Sequence, residues 1–420
     1  MLAVRNMVKP MRVVLLSDFG HINGGAAKVA INSALALAES GIRIDFVHAV
    51  GPVDTRLHRR GITLHHFDTP SVWSVSNPFA AVRDAVWNQA VRRRLGKLLD
   101  TFDPDVTVVH AHQWSKALSP SAVAEPIYRR FRTAVTLHDY FIACPNGALY
   151  DFQAAQPCDR RPMSPSCVVC NCDSRSYKHK VIRLARHARQ DYALNRIGWP
   201  DLIHVSDFAM RMVKPWLPHD SRNHVVQNPV DARKNGRAEV ENNQYFVCIG
   251  RLTPEKGVVE IATAAADAGV SIVFVGAGPA EPDIRKVNPA AKITGWISSG
   301  QVRAILRRSR AVVFASTWYE TGGLVCSEAL ANGVPAIVSR MTGPADLVKH
   351  GQNGMLISPG NRTEIAAAMS KLSDRARAKS MSENACGSYW AAPNTMDDHV
   401  QSLLEVYSKM LTRPVLAART

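Results

Sequence analysis

The chain has 420 residues, 46% of them apolar and 20% charged, and a formal net charge of +16. That length predicts two or three domains, since one domain runs to roughly 100–200 residues. The composition excludes a fibrous or disordered chain, and no stretch approaches the ~18 consecutive apolar residues of a membrane span. The positive charge calls for an anionic partner, and nucleic acid, acidic lipid and nucleotide all satisfy it. The opening MLAVRNMVKPMRVVLLSDFG has no apolar run of signal-peptide length. A cytoplasmic location is therefore expected, where clustered thiols bind metal more often than they form disulfides.

In chain order, MRVVLLSD (11–18) reads as a first buried strand. The glycine loop GHINGG (20–25) leads into AAKVAINSALALAESG, which has helical apolar spacing and a terminal Gly41. Further strand-like runs are 42–50, 105–112, 132–139 and 201–207, and residues 80–99 read as one helix between them. After a polar stretch at 225–244, taken as a linker, the pattern restarts. Strands are expected at 245–252, 271–278, 290–296, 311–316 and 334–339, with a helix at 258–269. Strand–helix alternation of this kind predicts an α/β fold with parallel sheets, here in two units, 1–224 and 245–390. Two Rossmann-like units place ligands at strand carboxyl ends and form a cleft where they face each other. A last helical segment at about 396–411, within a closing stretch 391–420, is expected to pack back across the first unit.

Three loops of the second unit share one chemical theme. GRLTPEKG (250–257) puts Arg251 and Lys256 together, a pair suited to a diphosphate. VGAGP (275–279) is a glycine turn that lets backbone approach a ligand. WYETGGLVCSEALANGVP (318–335) carries Glu320 and Glu328 seven residues apart, with Gly322 and Gly323 opening a helix. The first amides of such a helix are free, and with the helix dipole they attract anions.

On these motifs the second half resembles the donor domain of family-4 retaining glycosyltransferases of the GT-B fold. EALANGVPAIVS and the tail GPADLVKHGQNGMLISPGN match as well, with Asp346 where a glutamate is more usual. The first half is similar through the paired glycines after strand one, HAH (110–112) and TLHDY (136–140). The resemblance implies that Arg251, Lys256 and the amides of Gly323 and Leu324 neutralise a donor diphosphate. Glu320 would bond hydroxyls of the transferred sugar and Glu328 the ribose. Backbone near Trp296 and Ile297 would receive the base, and Gly24 and Gly25 would line the cleft from the first domain. His138 would touch the sugar or the reacting centre, while His110 and His112 read as strand-end packing or acceptor contacts. The expected donor is a UDP- or GDP-sugar and the acceptor a saccharide or polyprenyl-linked molecule, as in polysaccharide or glycolipid synthesis. No cofactor is required for the transfer, and no Asp-x-Asp metal motif lies in a suitable loop.

Two features stand outside that theme. Cys144, Cys158, Cys167, Cys170 and Cys172 fall within 29 residues of a proline-rich segment, forming a cysteine-rich loop insertion in the first domain. Structural zinc is the favoured occupant, with an iron–sulfur cluster and free thiols or disulfides as alternatives. Residues 174–197 form a basic helix in which Arg183, Arg186 and Arg189 recur, a face suited to an anionic membrane surface or simply to solvent. Rival readings are another GT-B enzyme, such as an epimerase or phosphorylase, and a nucleic-acid binder built on the thiols. The last is disfavoured because aromatics total only 7% and the basic residues are dispersed, so no nucleic-acid partner is expected.

Overall fold

In the computed structural model, residues 11–71, 77–232 and 234–413 are described. The opening residues 1–10, read as lacking a signal peptide, and the last seven of the closing stretch lie outside them.

The first sheet collects β1 (Arg12–Phe19), β2 (Arg43–Val50), β3 (Ile62–His66), β4 (Thr107–Ala111) and β5 (Arg132–Leu137). A short antiparallel pair, β6 (Tyr150–Asp151) and β7 (Gln156–Pro157), stands apart, and β8 (Asp201–His204) and β9 (Asn223–Val225) complete the sheet. The order is β3-β2-β1-β4-β5-β8-β9, and every neighbouring pair is parallel. Both faces are covered, because successive side chains alternate across a strand. Val14 and Leu16 enter one core with Val109 and Val135. Val13 and Leu15 enter the other with Val108, Ala134 and Ile203.

The second sheet runs β12 (Lys292–Ile293), β11 (Ser271–Val275), β10 (Tyr245–Ile249), β13 (Ser309–Phe314), β14 (Ala336–Ser339) and β15 (Gly354–Ile357), again all parallel. The structure thus shows the expected α/β fold with two Rossmann-like sheets. The run at 290–296 yields only a two-residue strand, whereas β3, β9 and β15 lack the long apolar run that marks their neighbours.

Residues 80–99, expected as one helix, are two, Pro78–Val86 and Gln89–Leu99. Trp87 ends the first and Asn88 starts the second: the Asn88 side chain accepts from Val91 N at 3.0 Å, and its own amide donates to Ser119 Oγ at 2.8 Å. A side-chain cap with an outside partner for the displaced amide is what breaks the helix there. The 225–244 stretch is more docked than its polarity suggested. Val226 N donates to His204 O at 2.9 Å, and Ala238 and Val240 are buried in the second core.

The final helix, Met396–Leu411, lies against the first sheet, far from its neighbours in sequence. Val400, Leu403, Leu404, Tyr407 and Met410 join the core formed by β1 and the helix Gly25–Glu39. Tyr407 OH reaches His110 Nδ1 at 2.6 Å, and Arg132 Nε donates to Met410 O at 2.9 Å. Replacing fully buried Leu403 by alanine is expected to destabilise the first domain by ~3 kcal/mol, read as a lower denaturant midpoint.

Candidate functional site

The carboxyl ends of both sheets supply the loops that meet between the domains. Beyond β1, Gly24 precedes the helix Gly25–Glu39, and a Cβ on Gly24 or Gly25 would meet no protein atom within 4 Å. Internal packing does not demand these glycines, so the open space beside them is available to something that approaches the backbone. The VGAGP turn is different. A Cβ at Gly276 would stand 1.9 Å from Gly250 O and one at Gly278 2.2 Å from Leu252 O. The close approach expected there for a ligand is taken by the neighbouring loop of the same domain.

The loop after β13 carries the densest set of contacts. Glu320 Oε1 accepts from Lys256 Nζ at 2.5 Å, while Oε2 accepts from Ser316 Oγ at 2.9 Å and Trp318 Nε1 at 3.3 Å. Lys256 is therefore ion-paired with Glu320 rather than free beside Arg251, which is exposed. Its ammonium also lies 5.3 Å from the Trp318 ring centre, within cation–π range. The helix Leu324–Ala331 begins at Gly323 with no side-chain cap, leaving its first amides available to an anion. Gly322, Gly323 and Leu324 line a cavity together with Ser206 and Asn228 of the inter-domain region. Asn228 Oδ1 is buried there and has no hydrogen-bond partner.

Glu328 sits in the second turn of this helix, and burial raises its pKa above the ordinary carboxylate value. Lys28 Nζ of the first domain lies 3.8 Å from Glu328 Oε1, bringing a cation across the cleft. Sequence reasoning passed over Lys28. Its signal was its place one turn after Gly24, whose carbonyl accepts from Lys28 N at 3.0 Å. Trp296 is 68% exposed, and Ile297 packs against the second core.

His138 follows the last residue of β5, on the opposite wall. Its Nε2 is 3.2 Å from His112 Nδ1, and its carbonyl accepts from Thr321 Oγ1 at 2.9 Å. Burial lowers the pKa of His138 to about 3, and that of His110 to about 3. His110 is held inside the first sheet by Tyr407 and by Thr136 Oγ1 at 2.7 Å, so its role is internal packing.

The cysteine-rich loop and the basic helix Tyr177–Ile197 form one unit. Arg183 Nη1 donates to Asn146 O at 3.0 Å, and its Nε is 3.2 Å from Asp173 Oδ2. Arg186 donates to Ser115 O at 3.1 Å and is 6% exposed, while Arg189 stacks 3.8 Å from the Trp87 ring centre. Arg183 and Arg186 tie down the loop, so the basic stripe, read as facing an anionic membrane surface or solvent, is turned inward at these two positions. No three His, Cys, Asp or Glu side chains are gathered to hold a metal ion among the described residues, and none of the five loop cysteines is in a disulfide.

Two facing parallel α/β units with this connectivity are the architecture of the GT-B glycosyltransferases. The chain superposes on sucrose-phosphate synthase from Thermosynechococcus elongatus with a TM-score of 0.69, covering 95% of this chain and 99% of that one at 16% identity. It superposes on Anabaena Alr3699/HepE in complex with UDP with a TM-score of 0.66, covering 95% and 100% at 19% identity. Residues 230–387 match the family model of glycosyl transferases group 1. A GDP-mannose-dependent alpha-mannosyltransferase of Corynebacterium glutamicum is 30% identical over 166 residues, which is 39% of this chain and 39% of that protein.

Two outcomes follow from these environments. Histidines whose pKa is depressed on folding contribute stability above about pH 6.5 that is lost as pH falls toward their folded values. With His110 and His138 at about 3 and His399 at about 4, the urea midpoint should fall steadily from pH 7 to pH 4. Replacing Arg186 by leucine should loosen the 140–172 segment and speed its limited proteolysis by roughly tenfold, with the second domain left resistant.

Proposed function

We propose that this protein is a retaining glycosyltransferase that moves a hexosyl group from a nucleotide-sugar to a saccharide or polyprenyl-linked acceptor. The observation that carries the reading is the Lys256–Glu320 pair set beside the uncapped helix start at Gly323. An incoming diphosphate would draw on Lys256, Arg251 and the Gly323 and Leu324 amides. Glu320, released from its ion pair, would then accept hydroxyl hydrogens of the sugar. Glu328 would hold the ribose, steadied by Lys28 from the other domain. Gly24 and Gly25 would admit the donor from the first domain, with backbone near Trp296 and Ile297 receiving the base.

Departure of the nucleoside diphosphate concentrates negative charge where these cations and amides converge, which lowers the barrier. His138 is neutral at physiological pH and would meet the sugar as a hydrogen-bond partner rather than as a charge. Acceptor attack on the face the leaving group departs from would preserve the anomeric configuration without an enzyme nucleophile. The chemistry needs positive charge at the phosphates, and the residues named supply it, so no divalent cation is assigned to the transfer.

GDP-mannose heads the donors to test, because the C. glutamicum relative is named for it; UDP-sugars follow, because the Anabaena neighbour was solved with UDP. The described residues contain no helix long and apolar enough to cross a membrane. A lipid-linked acceptor would be met at the cytoplasmic surface of a bilayer.

The test is a panel of nucleotide-sugars scored by release of nucleoside diphosphate. One donor should turn over, Glu320→Gln should lower kcat by about 10²–10³-fold, and Glu328→Ala should act mainly on donor KM. Turnover should persist in EDTA over a short assay. Failure of every donor, or a Glu320→Gln enzyme as active as the parent, would refute the reading.

A further inference from the structure

The loop that carries Glu320 is touched by the cysteine-rich segment as well as by its own domain. Tyr150 and Asp151 form the first arm of the hairpin β6–β7, and Phe152 opens its turn. The arm is set from below by Asn146, whose Nδ2 donates to Tyr150 O at 2.8 Å and to Cys172 O at 3.1 Å. Cys172 is held in turn by Lys180, whose Nζ is 2.8 Å from the sulfur. From this base the hairpin reaches the second domain twice. Tyr150 OH meets Thr317 Oγ1 at 3.2 Å, and the Phe152 ring centre lies 6.4 Å from that of Trp318 with the planes 60° apart. Aromatic rings at that separation and angle attract edge to face.

Trp318 holds Glu320. Its Nε1 donates to Glu320 Oε2, and its ring faces the Lys256 ammonium. In the resting site Lys256 pairs with Oε1, so the carboxylate has a charged partner. When a diphosphate draws Lys256 away, the side-chain donors left on Glu320 are Ser316 Oγ and Trp318 Nε1. A poorly solvated carboxylate keeps its charge and its place only while such donors satisfy it. The indole must therefore hold its orientation just when Lys256 stops facing its ring. Among the described residues, Phe152 is the ring packed on Trp318, and it comes from the other domain.

We propose that Phe152 is a positioning residue for the transfer: it fixes the Trp318 indole, which keeps Glu320 aimed at the sugar once Lys256 has turned to the diphosphate. The inference rests on the reading of Glu320 as the group that meets the transferred sugar. It gives the cysteine-rich insertion a part in the chemistry, because that insertion carries Phe152 to the donor loop. Tyr150 steadies the same loop from the backbone side, through Thr317, whose amide and hydroxyl both donate to Glu255 O. The effect falls on kcat, since the diphosphate is met by Lys256, Arg251 and the helix amides rather than by Glu320.

The test begins without substrate. In the full chain carrying isotope-labelled tryptophan, the indole NMR signal lost in Trp318→Phe identifies Trp318. Phe152→Ala should shift that signal, as should Glu320→Gln, while Phe152→Tyr should leave it near its parental position. An indole signal that Phe152→Ala does not move overturns the proposal, whatever the donor proves to be. With the nucleotide-sugar that turns over, Phe152→Ala should lower kcat by about 10–100-fold at unchanged affinity for the free nucleoside diphosphate. Phe152→Tyr should recover most of the rate. Phe152→Ala combined with Trp318→Phe should be no slower than the slower single variant, because both act through one hydrogen bond. Losses that multiply, or a Phe152→Ala enzyme with parental kcat, would remove the positioning role and leave the transferase reading standing. A parent chain inert to every nucleotide-sugar would fail that reading, and this role with it.

Discussion

The cleft depends on one loop, Ser316–Leu324, being held by both domains at once. Thr321 does the holding: its carbonyl accepts from Ser206 Oγ at 2.7 Å, and its hydroxyl donates to His138 O at 2.9 Å. Tyr150 OH meets Thr317 Oγ1 at 3.2 Å from the cysteine-rich loop, adding a third tie. Asp346 makes a parallel link, accepting from Phe208 N at 2.7 Å and pairing with Arg211. Its shorter side chain, unusual against the glutamate expected there, still spans the gap. Without these ties the Glu320 carboxylate and His138 would belong to two bodies with no defined separation.

Within that frame, the charges of the site are kept in check by each other. Lys256 and Glu320 are only 16% and 17% exposed, so each would be poorly solvated alone. Glu328 and Lys28 repeat the arrangement across the domain boundary. A ligand that carries its own negative charge would compete with the carboxylate for the cation, and the displaced carboxylate would then need hydrogen-bond donors of its own.

Different parts of the molecule were legible to different degrees. The long apolar runs announced β1, β2, β5, β10 and β13, because strands covered on both faces must be apolar throughout. The glycines at 322 and 323 announced the start of the helix Leu324–Ala331, with Glu320 just before it and Glu328 in its second turn. By contrast, the break at Asn88 could not be read, as the partner that receives its amide is Ser119, thirty-one positions away. The basic helix misled for the same reason. Arg183 and Arg186 look like a solvated stripe until the carbonyls of Asn146 and Ser115 are brought to them.

By itself the sequence determined the two α/β units and the glycine loops at the strand ends, because these follow from periodicity and local spacing. Only the tertiary structure decided which charges meet. It paired Lys256 with Glu320, brought Lys28 to Glu328, and set Lys180 beside Cys172. Charge pairing is a matter of distance in space, and these partners are joined through domain docking and loop packing that no local pattern encodes.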